Sequence, residues 1–171
     1  MYLRDVTQHN TLDYHLPQDT HLKDKTNRNT KSYLNGSLTP TRFNNETIGI
    51  LTYTEWGYMS ANLASTDPSK RPQTIFWPPS DGESAEDWAL ACRNSMSYAG
   101  RFRINTDLPA SATSGQVLHG PMEIASVPTM VNATQVRNYT VVKEVPGGDT
   151  ILVIWVESPG LRALVYWRRI D

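Results

Sequence analysis

The spacing of apolar positions divides the chain at Thr47. Residues 1–46 are rich in Thr, Asn, Asp, Lys and His, and their apolar residues come in short pairs such as Tyr2-Leu3 and Tyr33-Leu34. Such pairs cannot form a core by themselves, so this stretch reads as a long irregular arm with one candidate strand near residues 13–16. The arm is either solvated, or paired with the rest of the molecule or with a neighbouring subunit. From Thr47 onward the pattern is dense. Residues 47–54 are β-branched and aromatic, Glu55-Trp56-Gly57 has turn chemistry, and residues 57–63 follow as a second strand. Residues 65–82 carry Pro68, Pro72, Pro78 and Pro79, which makes them a loop, and place Phe76 and Trp77 where they could pack back at the mouth of a cavity.

One helix is expected after this loop. Ser84 can cap it, Glu86 and Asp87 sit in its first turn, and Trp88, Ala91, Cys92 and Ser95 recur at helical spacing as a buried stripe. Gly100 is the expected stop, with the last turn near Tyr98. Strands then follow at 101–105, 116–125, 134–143, 150–156 and 162–169, with turns at Pro146-Gly147-Gly148-Asp149 and Ser158-Pro159-Gly160. A hairpin, one helix and a five-strand antiparallel meander imply a mainly β domain, closed as a barrel or stacked as a sandwich. The division is an arm over 1–46 and a β domain over 47–171.

Composition narrows the function classes. The chain has 171 residues, 39% of them hydrophobic, which suffices for one domain with a real core. A net charge of -1, from 16 basic and 17 acidic residues, offers nothing to nucleic acid or to an anionic membrane. No run approaches a membrane span. The single cysteine, Cys92, excludes an internal disulfide and reads as a buried structural thiol. Three of the four histidines, His9, His15 and His21, lie in the arm, so no metal site is expected. Phosphate loops, dinucleotide fingerprints and nucleophile elbows are absent, and no cofactor is implied. Residues 1–10 hold no signal-peptide core, which reads as cytosolic residence if Met1 is the native start. Four Asn-X-Ser/Thr sequons, at Asn35, Asn45, Asn132 and Asn138, point instead towards a secretory route.

Several segments resemble the lipocalin-like domain family. Gly49-Ile50-Leu51-Thr52-Tyr53-Thr54 with Gly57-Tyr58-Met59-Ser60-Ala61 is similar to its opening hairpin. Ser97-Tyr98-Ala99-Gly100-Arg101-Phe102 looks like the segment after its helix. Val117-Leu118-His119, Pro128 and Gln135-Val136-Arg137 resemble its central run, and Val165-Tyr166-Trp167-Arg168-Arg169 its closing strand. The resemblance covers about residues 47 to 169. It implies a single antiparallel β-barrel with a cavity for a lipophilic small molecule. Fungal relatives occur with natural-product pathways, where such proteins include cyclases and Diels–Alder-type enzymes. The family's usual opening Gly-Thr-Trp strand is missing from residues 1–46, so either a divergent strand replaces it or the barrel closes differently.

Alternation along each strand proposes a site. If Asn138 faces solvent, then Gln135, Arg137, Tyr139 and Val141 face inward. On the preceding long strand Val117, His119, Pro121 and Glu123 share a face unless Pro121 introduces a bulge. Arg137, His119 and Glu123 would then form a polar corner, either as a structural Arg137–Glu123 salt bridge or as a proton-moving and ligand-holding group. Tyr53, Tyr58, Trp77, Tyr98, Trp155 and Trp167 are further lining candidates, enough aromatic surface for a flat or polycyclic ligand. Three functions compete. The first is a cofactor-independent cyclase, isomerase or cycloaddition enzyme acting on a terpenoid or polyketide intermediate. The second is a non-catalytic carrier of such a molecule. The third is a structural role built on the arm, whose exposure is compatible with a homodimer.

Overall fold

The computed structural model describes residues 30–39, 47–143, 148 and 150–169. Nine antiparallel strands form one sheet. In chain order they are β1 (Thr30–Leu34), β2 (Ser37–Thr39), β3 (Thr47–Tyr53), β4 (Tyr58–Ser65), β5 (Ser95–Ile104), β6 (Ser114–Ala125), β7 (Gln135–Val142), β8 (Ile151–Ser158) and β9 (Leu161–Arg168). A single helix, α1 (Ala85–Arg93), separates β4 from β5. The spatial order is β2-β1-β9-β8-β7-β6-β5-β4-β3, so β3 to β9 form an unbroken meander. Among the described residues no helix is long and apolar enough to cross a membrane.

The sheet curls into a half-barrel. Met59, Ala61 and Leu63 of β4 share one core cluster with Ile154 of β8 and Trp167 of β9, although β4 and β9 lie near opposite ends of the strand order. Only a strongly twisted, coiled sheet brings those strands together. A second cluster, Val117, Tyr139 and Val141 with Phe102, Ile104 and Leu152, fills the interior further along.

The part of residues 1–46 that the structure describes belongs to this sheet. β1 and β2 pair through the turn Asn35-Gly36, where φ is +49° and +81°, and β1 also pairs along β9 from Thr30↔Val165 to Leu34↔Leu161. Positive φ at both central residues gives the turn that matches strand twist, and Asn-Gly is the sequence that tolerates it best. A divergent strand thus lies beside β9. The candidate strand at 13–16, the histidines His9, His15 and His21, and the sequon at Asn45 lie outside the described residues.

The helix is shorter than expected. Ser84 caps it, accepting from the Asp87 N–H at 3.2 Å, with Glu86 and Asp87 in the first turn. It stops at Arg93 rather than near Tyr98. Asn94 ends it by turning its carbonyl to the Ser65 N–H at 2.8 Å, which ties the helix end to β4. Ser95, Tyr98 and Gly100 then lie in β5, paired along β4 from Ala64↔Ser95 to Tyr58↔Arg101. The expected buried stripe does not form: α1 has no buried residue, and the Cys92 thiol is exposed. The nine-residue helix half-buries Asp87 to Ala91 and exposes Ala85, Glu86, Cys92 and Arg93 at its two ends.

Candidate functional site

Three neighbouring strands place the polar groups. Phe102 of β5, His119 of β6 and Gln135 of β7 lie in register, and Arg137 faces Val117 one pair along. Directly opposed residues share a face, so His119, Gln135 and Arg137 look to the interior with Val117 and Tyr139. From the first strand of the hairpin, Tyr53 reaches across, and its hydroxyl lies 2.7 Å from His119 Nε2. The Tyr53 ring meets Phe102 edge-on at 4.7 Å.

His119 is 1% exposed, and its Nδ1 has no hydrogen-bond partner among the described residues. Burial, and secondarily the Arg137 guanidinium, pull its pKa down to about 4, so the imidazole is neutral at pH 7. Burial likewise pushes the Tyr53 hydroxyl well above its ordinary range, as does nearby Tyr98. Burial raises Tyr98 as well, with Arg137 opposing. Arg137 is half-buried. It donates to Gln135 Oε1 at 2.6 Å and to the Val136 carbonyl at 2.8 Å. Among the described residues no carboxylate pairs with it, and burial lowers its pKa.

These groups border a cavity of about 200 Å³. Leu51, Leu63 and Met96 form one wall, and Ile154, Val165 and Trp167 the other. Tyr98, His119, Gln135 and Arg137 make a polar corner between them. The volume is smaller than the several hundred cubic ångströms a polycyclic ligand needs. A cavity of about 150 Å³ holds a benzene ring, so this one suits one or two rings. A larger open groove of about 590 Å³ lies near Tyr33, Asn35, Glu157 and Arg162, but it lies on the outer surface and is more polar.

Several expected site residues lie elsewhere. Glu123 is exposed and pairs with Arg101 at 3.9 Å, not with Arg137. The cause is irregularity in the β5–β6 register: the pairing shifts between Ala99 and Gly100 and again between Gly100 and Phe102. β6 carries an extra residue at each shift, so Met122 turns inward in place of Pro121 and Glu123 turns out. Gly100 makes this packing feasible, because a Cβ there would collide with the Pro121 carbonyl oxygen. Tyr58 points outward, under the Arg101 guanidinium at 4.1 Å, because Met59, Ala61 and Leu63 take the inner face of β4. Trp77 is 86% exposed and does not line the cavity. Glu83 fixes its loop by accepting from the Phe76 and Ser80 N–H groups and from Trp88 Nε1.

Tyr139 is buried in the second cluster, and its hydroxyl donates to the Ser111 carbonyl at 2.8 Å, so it is core. Trp155 borders the cavity but pairs with outward-facing Asn138 and Leu164. Its ring lies beneath Arg162, 4.8 Å from the guanidinium carbon. Trp167, Tyr98, Gln135, Arg137 and His119 do border the cavity. Tyr53 joins them through His119, a link that no sequence spacing shows. Of the sequons, Asn35 and Asn132 are exposed at turns, and Asn138 is half-buried with its side-chain oxygen accepting from Gln116.

A curled antiparallel sheet with a helix after its first meander hairpin and a ligand-sized cavity defines a calycin-type binding fold. Residues 33–170 match the model of the lipocalin-like domain, and the chain belongs to that family. No curated protein and no solved structure matches the chain.

Proposed function

We propose that this chain takes an apolar molecule of one or two rings into the cavity and cyclises or isomerises it without a cofactor, as a Diels–Alder-type or related enzyme acting on a terpenoid- or polyketide-like intermediate. The observation that carries the reading is the polar corner: Arg137, His119, Tyr98 and Gln135 meet at one end of an otherwise apolar cavity. Apolar walls orient a flexible chain, and orientation alone can supply several kcal/mol of a cyclisation barrier. Donors aimed at one carbonyl oxygen polarise it and stabilise charge that develops there.

The chemistry supported best is hydrogen bonding rather than proton abstraction. A histidine with a pKa near 4 is a weak base at neutral pH, and Glu123 faces solvent. The same weakness favours the second reading, a carrier that holds its ligand unchanged.

Mass spectrometry of what co-purifies with the protein identifies the ligand, and incubation with its linear precursor tests turnover. Arg137→Gln should lower product formation by about a hundredfold, the scale of losing one strong donor. Recovery of the precursor unchanged by wild type establishes the carrier. Unaltered turnover in both Arg137→Gln and His119→Asn rejects the corner as the site.

A further inference from the structure

The polar groups at this corner differ in what they leave unused. His119 Nε2 faces the Tyr53 hydroxyl and its Nδ1 is sealed inside the protein, so the imidazole is spent on the fold. Arg137 donates to Gln135 Oε1 at 2.6 Å and to the Val136 carbonyl at 2.8 Å. A cation engages only the oxygen end of an amide. The bond from Arg137 therefore orients Gln135 and leaves its Nε2, a double donor, as the end without a partner among the described residues. Tyr98 stands on the inner face of β5 and borders the cavity. The residues directly opposite it on both neighbouring strands, Ala61 and Ala125, are alanines and offer its hydroxyl nothing to bond to. That hydroxyl has no hydrogen-bond partner among the described residues, yet it is not sealed: the enclosed side-chain atom left without a partner there is His119 Nδ1 alone. Burial keeps the phenol protonated, with Arg137 opposing. Among the described residues no carboxylate borders the cavity. The groups left over are donors.

We propose that the cavity takes a neutral carbonyl compound, a ketone, enone or quinone on one or two rings, whose oxygen accepts from the Tyr98 O–H, with Gln135 Nε2–H as a second donor at the same end. This rests on the cavity being a ligand site, as argued above, and names its ligand class. A largely buried phenol and an unpaired amide N–H group cost desolvation while nothing accepts from them. A carbonyl oxygen has two lone pairs and can take both donors. A hydrocarbon of the same shape leaves them unsatisfied. A carboxylate fits less well. It would give up its hydration for two neutral donors, because the guanidinium directs its hydrogen bonds to Gln135 and Val136. In a cyclisation or isomerisation the same donors draw electron density onto the carbonyl oxygen, so the ligand class agrees with the proposed chemistry.

Calorimetric titration of the full chain compares 1-tetralone with 1-methylenetetralin, in which C=CH₂ replaces C=O on the same skeleton. The ketone should bind about five- to tenfold more tightly, the margin of one net hydrogen bond. Tyr98→Phe should shrink that margin while the alkene keeps its affinity. Gln135→Glu, which exchanges the amide donor for a carboxylate, should shrink it too. Tetralin-1-carboxylate, charged on the same ring system, should bind more weakly than the ketone. With ¹³C at the carbonyl, the infrared C=O band of bound 1-tetralone should lie below its position in hexane. In Tyr98→Phe it should return towards that position, a change that lost packing alone does not produce. Equal affinity for ketone and alkene, a margin unmoved by Tyr98→Phe or by Gln135→Glu, a band at its hexane position in wild type, or tighter binding of the carboxylate each overturns the proposal while leaving a ligand cavity intact. Failure of all three probes to bind wild type overturns the cavity reading itself. Should a variant not fold, the wild-type affinities and the band position still decide.

Discussion

His119 links proton binding to stability. Its unfolded pKa is about 6.5 and its folded value about 4, so between those values the unfolded chain takes up a proton that the native chain refuses. The sign follows: this contribution is fully present above pH about 6.5, falls as pH is lowered, and is gone below about 4. Two and a half pKa units correspond to at most about 3 kcal/mol. Urea unfolding at pH 7 and pH 4 checks this. Wild type should lose about that much more stability than His119→Asn, while carboxylate titrations common to both cancel. The inward direction of His119 and Arg137 was legible in the sequence because β-strand alternation holds over Val117–His119 and Gln135–Val141. The bond from Tyr53 to His119 was not, because it spans 66 positions and depends on how the sheet coils. Glu123 was misread for the opposite reason: local alternation is a good guide only where the register is unbroken.

At the scale of elements, β5 is where two periodicities competed. Helical spacing carries Trp88, Ala91 and Cys92 on to Ser95, and that continuation placed the helix end near Tyr98. Yet Met96, Tyr98, Phe102 and Ile104 alternate with serines and arginines, and this period of two marks a strand starting at Ser95. Pairing with β4 over the full length from Ala64 decides for the strand. The β1–β2 turn carried an equally plain signal, Asn35-Gly36 between Tyr33-Leu34 and Ser37-Leu38, masked by the polar composition around it. Gly100 packs directly against the β6 backbone. Gly100→Ala forces a Cβ against the Pro121 carbonyl and Met122 Cα, and should destabilise the fold by about 2–3 kcal/mol. Thermal melts measure that loss, and Gly36→Ala, which meets nothing within 4 Å but has φ +81°, should lose less.

For the whole molecule, the meander and its strand count were legible from turn residues and apolar runs, because antiparallel neighbours follow one another in sequence. Curling was not, since it shows only in contacts between β4 and the β8–β9 pair. Trp167 stands at that junction, buried at 7% exposure and forming part of the cavity wall. Trp167→Ala should therefore act on both ends of the sheet, with a loss of about 3–5 kcal/mol in denaturant unfolding. Val153→Ala on the same hairpin faces outward with Tyr166 and should cost under about 1 kcal/mol.

The two register shifts in β6 set a grammar for insertions and deletions. Each adds one residue, so together they restore the alternation: Val117 and His119 are interior before them, and Ala125 opposite Tyr98 resumes the interior phase after them. A chain that loses both extra residues keeps every flanking side chain on its own side of the sheet. A chain that loses one closes only that bulge, and the strand beyond it still pairs with β5 through the same residues. Losses of one or two residues between His119 and Ala125 are thus absorbed, whereas a third would shift the flanking pairs and turn the strand beyond it inside out.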